Sequence, residues 1–202
     1  RVYGHEHTTL AGRAEWALGI VTGDNARYLR PEGGAGREPI YTGKEVGHYL
    51  FREPSAFIRF EPRKFQQAAP ERKYRAAEKL VYRFISKRLI VAYDDRGMLT
   101  LNSANILIPK MEGYPVKALL ALLNSSLYQF LFQKKFSSIK VLRSHLESLP
   151  VPLWDPGDLD RLASIAEAVI AGRSDIGAAD EFIMGRFGLS EAERLHIARS
   201  IS

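Results

Sequence analysis

Few residues in this sequence have the types and spacing for bond-making chemistry. Glu71-Arg72-Lys73 has the Glu-x-Lys form in which a carboxylate holds a metal ion and a lysine assists an attacking water. That chemistry also needs a well-placed aspartate, and Asp24, distant in sequence, sits on a turn. His5 and His7 have no second ligand cluster, and His48, His145 and His196 stand alone. Asp94-Asp95 precedes Arg96-Gly97 and reads as a turn rather than a metal pair. Gly33, Gly34 and Gly36 lead into Arg37-Glu38-Pro39 instead of a helix, so they do not make a dinucleotide loop. Neither a phosphate-cradling lysine loop nor a Gly-x-Ser-x-Gly elbow is present, and there is no cysteine.

Residues suited to holding a polyanion are more plentiful. Phosphates call for cations at loop ends, and base edges call for amides, arginines and hydroxyls on projecting loops. Four loops offer them. Thr22, Asn25 and Arg27 lie on the first, and Lys44 on the second. Arg63 and Lys64, with Gln66 and Gln67, lie on the third. Lys134 and Lys135, with Ser137 and Ser138, lie on the fourth, and Lys140 stands just after it. Arg72, Lys73, Arg75, Lys79, Arg83, Lys87 and Arg88 add to a basic approach around residues 79–109.

The charge is segregated. Residues 1–153 hold 24 Lys+Arg against 14 Asp+Glu, whereas residues 154–202 hold 5 against 9. A basic body with an acidic tail points to a nucleic-acid face on the body, with the tail as a packing surface for a neighbouring domain or subunit. A chain of 202 residues buries a substantial core in one domain or slightly more. Without cysteine it suits a reducing compartment, and a cytoplasmic location is expected. The longest apolar run, 118–123, is too short to span a bilayer, so no membrane partner is expected. A first residue of Arg1 leads us to expect a piece of a longer protein.

The elements that must carry these loops are of mixed type. Residues 79–109 alternate β-branched, aromatic and polar positions between compact turns, which predicts an antiparallel meander reversing at Gly97. Residues 89–92 are apolar without alternation and predict a central strand covered on both faces. Shorter strands are expected at 16–21 and 56–60, with a turn at 22–25 and a flexible loop at 32–36. Pro70 opens a brief helix near 71–77. Apolar spacing predicts one long helix over 116–133, a second over 140–147, and tail helices over 159–171, 178–187 and from Ser190. The expected fold is α+β: an antiparallel or mixed sheet with a meander, packed by the long apolar helix, plus a C-terminal helical segment. Residues 1–14 form an unstructured leading segment, 15–153 a recognition domain and 154–202 a helical tail, with the proline pair at 150–152 as linker.

Three stretches together resemble the TaqI-like C-terminal specificity domain of adenine-specific DNA methyltransferases and fused restriction–modification enzymes. The first is Gly19-Ile-Val-Thr-Gly23-Asp24-Asn25. The second is Glu78-Lys-Leu-Val-Tyr-Arg83 with Ala92-Tyr-Asp-Asp-Arg-Gly97 and Leu101-Asn-Ser-Ala-Asn105. The third is Leu119-Leu-Ala-Leu-Leu-Asn124-Ser125 with Leu146-Glu-Ser-Leu-Pro150-Val-Pro152. The helical tail from Ala179 to Ser190 is similar to the segment that follows such domains. The resemblance implies a non-catalytic module that binds double-stranded DNA and positions it for an N-terminal methyltransferase domain. S-adenosylmethionine belongs to that domain, so no cofactor and no metal is expected in this chain. It also implies structural roles for Gly23, Asn124 and Pro150. Read from the residues alone, an RNA-binding or acidic-protein-binding module, or a metal-dependent nuclease, remains an alternative.

Overall fold

The computed structural model describes residues 1–201, which form nine β-strands and eight α-helices. The strands are β1 (His7–Thr8), β2 (Ala14–Ala17), β3 (Glu38–Tyr41), β4 (Ala56–Ile58) and β5 (Lys79–Arg83), then β6 (Val91–Asp94), β7 (Leu99–Thr100), β8 (Ala104–Pro109) and β9 (Val151–Pro152). The helices of the first part are α1 (Asn25–Tyr28), α2 (Glu71–Tyr74), α3 (Val116–Asn124), α4 (Ser126–Lys135) and α5 (Arg143–Glu147). The last three are α6 (Pro156–Ile170), α7 (Asp180–Arg186) and α8 (Glu191–Ser200). The content is α+β, as the sequence predicts. Among the described residues no helix is long and apolar enough to cross a membrane.

The main sheet is antiparallel in the order β2-β8-β5-β6, and a smaller mixed sheet runs β4-β3-β7. β5 has period-two burial on both faces. Leu80 and Tyr82 face a core shared with α3, α4 and the tail helices, while Val81 faces a second core with Ile20, Ile40, Ile58 and Leu99. β5 and β6 form the expected hairpin, but the chain does not continue as a simple meander. Gly97, at φ +66°, turns Leu99–Thr100 away to pair in parallel with β3, and β8 then returns on the other flank of β5.

In the apolar run at 89–92, Leu89, Val91 and Ala92 are buried and Ile90 is half-buried, yet in hydrogen bonding the run lies on an edge of the sheet. Side chains cover that edge. Gln129 donates to Leu89 O (2.8 Å) and accepts from Leu89 N (2.8 Å). Asn124 does the same for Val91 (2.9 and 3.2 Å), and Tyr49 bridges Val91 O and Tyr93 N. Two amides and one backbone segment thus satisfy groups that an open edge would offer to another chain.

Asn124 also marks the main departure among the helices. The apolar pattern of 116–133 runs through two helices, α3 and α4, broken where Ser125 turns extended (φ −68°, ψ 152°). Ser125 caps α4 by accepting from Tyr128 N, and Asp180 of α7 accepts from Ser126 N (2.7 Å) and Ser126 Oγ (2.5 Å). The 3.6-residue periodicity persists across the break, so hydrophobicity alone does not reveal it.

The leading segment is ordered rather than loose. β1 pairs with β9, Leu153 N donates to Glu6 O (3.0 Å), and Leu10 is fully buried. The proline pair is therefore part of a buried strand pair, and Leu162, Ala166 and Ile183 of the tail join the core of Leu119–Leu123. Lys79, counted by sequence among the approach cations, is fully buried. It donates to Tyr74 O (2.6 Å) and to the Asp94 carboxylate, which also accepts from the N–H groups of Arg96 and Met98 (2.8 Å each). Asp94 is thus the organiser of the turn.

Candidate nucleic-acid interface

The first and third loops are joined into one surface. Gly23 needs its left-handed backbone (φ +81°), and any Cβ there would meet Gln66 Cβ at 3.2 Å. Val21 and Gln67 pair as a bridge, Gln66 N donates to Thr22 O, and Tyr28 Oη donates to Lys64 O (3.0 Å). Residues 26–29, which follow the predicted turn, are largely the short helix α1. Asp24 caps it by accepting from Arg27 N (3.0 Å). Thr22 is buried, and its hydroxyl donates to Asn25 Oδ1 (2.6 Å). Thr22 therefore positions Asn25, which is exposed and lines the adjoining cleft. Arg63 is exposed, and Lys64 pairs with Glu61 (2.7 Å).

Beside this surface opens a cleft of about 510 Å³, lined by Asn25, Lys44, Ser55, Arg83, Asn102 and Ser103 among others. Gly43 lets the second loop approach closely, because a Cβ there would lie 2.7 Å from Ser103 O. Burial pushes the Glu45 carboxyl up, but hydrogen bonds from Ser55 and Thr42 outweigh it and hold the group below the usual carboxylate range. An ionised Glu45 thus stiffens the loop that carries the exposed Lys44. Ile85 reaches the same cleft and pairs with Lys140, whose ammonium lies 5.8 Å from the Phe84 ring.

The other proposed contacts are occupied within the chain. Arg72 pairs with Glu15 (2.8 Å), and Lys73 donates to Trp16 O (2.8 Å). Arg75 makes a two-pronged pair with Glu38 (2.7 Å each), which raises its pKa further, and also bonds Gly97 O. Lys134 lies over the Phe130 ring, and Lys135 donates to Ser148 O (2.9 Å) at the end of α4. Thr22, Asn25, Arg27, Lys44, Arg63, Lys64 and, through Ile85, Lys140 are the members that the fold brings to neighbouring loops.

Sequence reading missed Arg30, Arg37 and Arg59, which with Arg27, Tyr28 and Glu61 line a depression of about 310 Å³ next to α1. Arg27, Arg30 and Arg37 are near neighbours in sequence, and the fold brings Arg59 from beyond β4 to join them, so no single local motif marks the set. Among the described residues no three His, Asp or Glu side chains stand close enough to hold a metal ion. Glu71 leans on Arg75 (3.5 Å).

The family described as "TaqI-like C-terminal specificity domain" matches residues 38–151. A 40-residue stretch is 48% identical to the type II methyltransferase M.VspI of Vibrio sp. (strain 343), over 20% of this chain and 10% of that protein. The fold is similar to the HsdS subunit from Thermoanaerobacter tengcongensis (14% identity, TM-score 0.51, 98% of this chain and 43% of that one). It is also similar to the type IIL restriction–modification enzyme MmeI, solved in complex with DNA (12% identity, TM-score 0.64, 96% and 35%). The chain thus spans less than half the length of each of these proteins.

Proposed function

The chain belongs to the TaqI-like C-terminal specificity domain family, and from that premise we propose that it reads duplex DNA for a separate adenine-specific methyltransferase domain of a restriction–modification protein. The observation that carries this is one open cleft lined by Asn25 of the first loop, Lys44 of the second and Arg83, with the Pro62–Gln67 loop bonded to the outer side of the first. The work is binding rather than bond-making. Cations anchor the phosphates, while Asn25, Lys44, Asn102 and Ser103 meet base edges, each good bidentate contact contributing about 1–3 kcal/mol of discrimination. S-adenosylmethionine and the flipped adenine belong to the methyltransferase domain, and the specificity module holds the duplex in register. A cytoplasmic location is part of the same proposal.

The test is selection from a randomised duplex pool, followed by titration of the selected duplex against single strands and RNA over a range of salt. A defined consensus with duplex preference is expected, and affinity should fall with salt at a log–log slope of about 0.9 per phosphate contact. Asn25→Ala should relax the consensus at one position and leave the salt slope alone. Stronger binding to RNA, or no consensus, would sink the proposal.

A further inference from the structure

Four arginines converge on the depression beside α1, against a single carboxylate in its lining. Arg27 and Arg30 come from α1 and its end, Arg37 follows the Gly34–Arg37 turn, and Arg59 follows β4. All four are exposed, and none forms an ion pair among the described residues. The one acid in the lining, Glu61, is engaged by Lys64.

Two of the guanidinium groups are fixed by neutral partners. Arg30 Nη1 donates to the carbonyls of Ala26 (3.1 Å), Arg27 (3.1 Å) and Leu29 (2.6 Å), and Arg59 Nη2 donates to Ala35 O (3.1 Å). Gly36 holds its turn at φ +69°, and a Cβ there would come 3.8 Å from Arg59 Nε. Carbonyls orient these cations without cancelling their charge. Like charges gathered this way repel one another, and a bound anion would relieve that repulsion. Elsewhere the chain pairs its arginines: Arg72 has Glu15 and Arg75 has Glu38.

We propose that Arg27, Arg30, Arg37 and Arg59 form a phosphate anchor that takes a backbone phosphodiester of the bound duplex, separate from the base-reading cleft. The assignment rests on the DNA-reading proposal and divides its labour. The α1 helix is the partition, with Asn25 and Leu29 on the cleft side and Arg27, Tyr28 and Arg30 on the anchor side. Planar guanidinium forks match phosphate oxygens two at a time, and side chains already held in place lose less freedom on binding.

The decisive variant is Arg37→Gln with Arg59→Gln, compared with wild type on a duplex of mixed sequence and on the selected duplex. Both side chains are exposed, so the melting temperature serves as the folding control. Affinity should fall about tenfold on both duplexes, and the salt slope should flatten by about 0.9 for each lost phosphate contact. The selected consensus should stay the same, and Arg37→Lys with Arg59→Lys should restore most of the slope. If wild type binds with a consensus and the glutamine variant keeps both affinity and slope, the anchor is overturned and the reading function stands. A changed consensus at constant slope would make these arginines base readers and also overturn it. Inorganic pyrophosphate that protects the site while the duplex slope is unaffected would assign it to a free anion. Absence of duplex binding by wild type removes anchor and reading function together.

Discussion

The covered edge of β6 and the arginine depression beside α1 handle polar groups in opposite ways. Along β6, charges and amides that the fold draws inside meet partners of matched chemistry. Lys79 has Asp94 and Tyr74 O, Asn124 has both backbone groups of Val91, and Gln129 has both of Leu89. Beside α1, the exposed Arg30 and Arg59 are aimed by carbonyls, and none of the four arginines there forms an ion pair among the described residues. In the first region polarity fixes which way the chain folds. In the second it is held ready for something outside the chain. Substitutions should therefore separate the regions: stability should respond on the β6 side and binding on the α1 side.

The largest effect expected is that of Asp94→Ala. It leaves the Lys79 ammonium in a fully buried place and removes the acceptor for the N–H groups of Arg96 and Met98. Removing one partner of a buried pair costs about 3–5 kcal/mol. Arg37→Gln, by contrast, should stay within about 0.5 kcal/mol of wild type, as exposed substitutions do. Chemical denaturation of both variants measures the gap. If the two lose similar stability, the division between the regions is wrong.

Next in size are the edge amides. Asn124→Ala strands the N–H of Val91, and Gln129→Ala strands the N–H and carbonyl of Leu89. Each orphaned buried group costs about 1–3 kcal/mol, although Tyr49 N still reaches Val91 O in the first variant. Hydrogen exchange offers a local readout, since the Leu89 and Val91 amides should lose protection in their respective variants. Protection that stays at the wild-type level would mean that something other than the amides shields this edge.

These residues also show where sequence reading succeeds and where it stops. Strand alternation in 79–83, the turn at Gly97, the Ser190 cap and most helices were legible, because each depends on neighbours within a few residues. The edge position of β6 was not. Its apolar composition reports burial on both faces, whereas its hydrogen-bond partners come from Asn124 and Gln129, more than thirty residues later in the chain. The break at Ser125 lay under an unbroken apolar period for the same reason. At the interface, the loop of Thr22 and Asn25 was legible from its turn residues, but the arginine depression needs the fold to bring Arg59 to Arg27, Arg30 and Arg37. Charge density in the sequence counted Lys79 and Arg75 alongside Arg27, and only pairing in space distinguishes them.

A smaller effect should appear with pH. His48 is half-buried, Nδ1 donates to Asn124 Oδ1 (2.8 Å), and desolvation lowers its pKa, with the nearby positive charges of Arg83 and Arg88 acting in the same direction. A depressed imidazole contributes stability that is present above the unfolded pKa of about 6.5 and is lost as acidification carries the pH below it toward the folded pKa. Wild type should therefore lose more stability than His48→Gln between about pH 7.5 and pH 5. Equal losses would show that protonation of His48 does not strain the β6 edge.

The smallest expected effect tests the comparison at its weakest point. Tyr49 is fully buried at φ +66°, clasped between Val91 O and Tyr93 N, and its hydroxyl has no hydrogen-bond partner among the described residues. Burial pushes that hydroxyl far above its ordinary pKa, so it stays neutral. An unmatched polar atom thus exists on the structural side too, and lack of a partner cannot by itself mark a binding site. What distinguishes the arginines is that they are charged, exposed and convergent. Tyr49→Phe should accordingly be neutral or stabilising by up to about 1 kcal/mol, because it removes a desolvated hydroxyl and keeps the packed ring. A loss of more than about 1 kcal/mol would mean that the hydroxyl is satisfied after all, and the β6 side would then hold its polar groups matched without this exception.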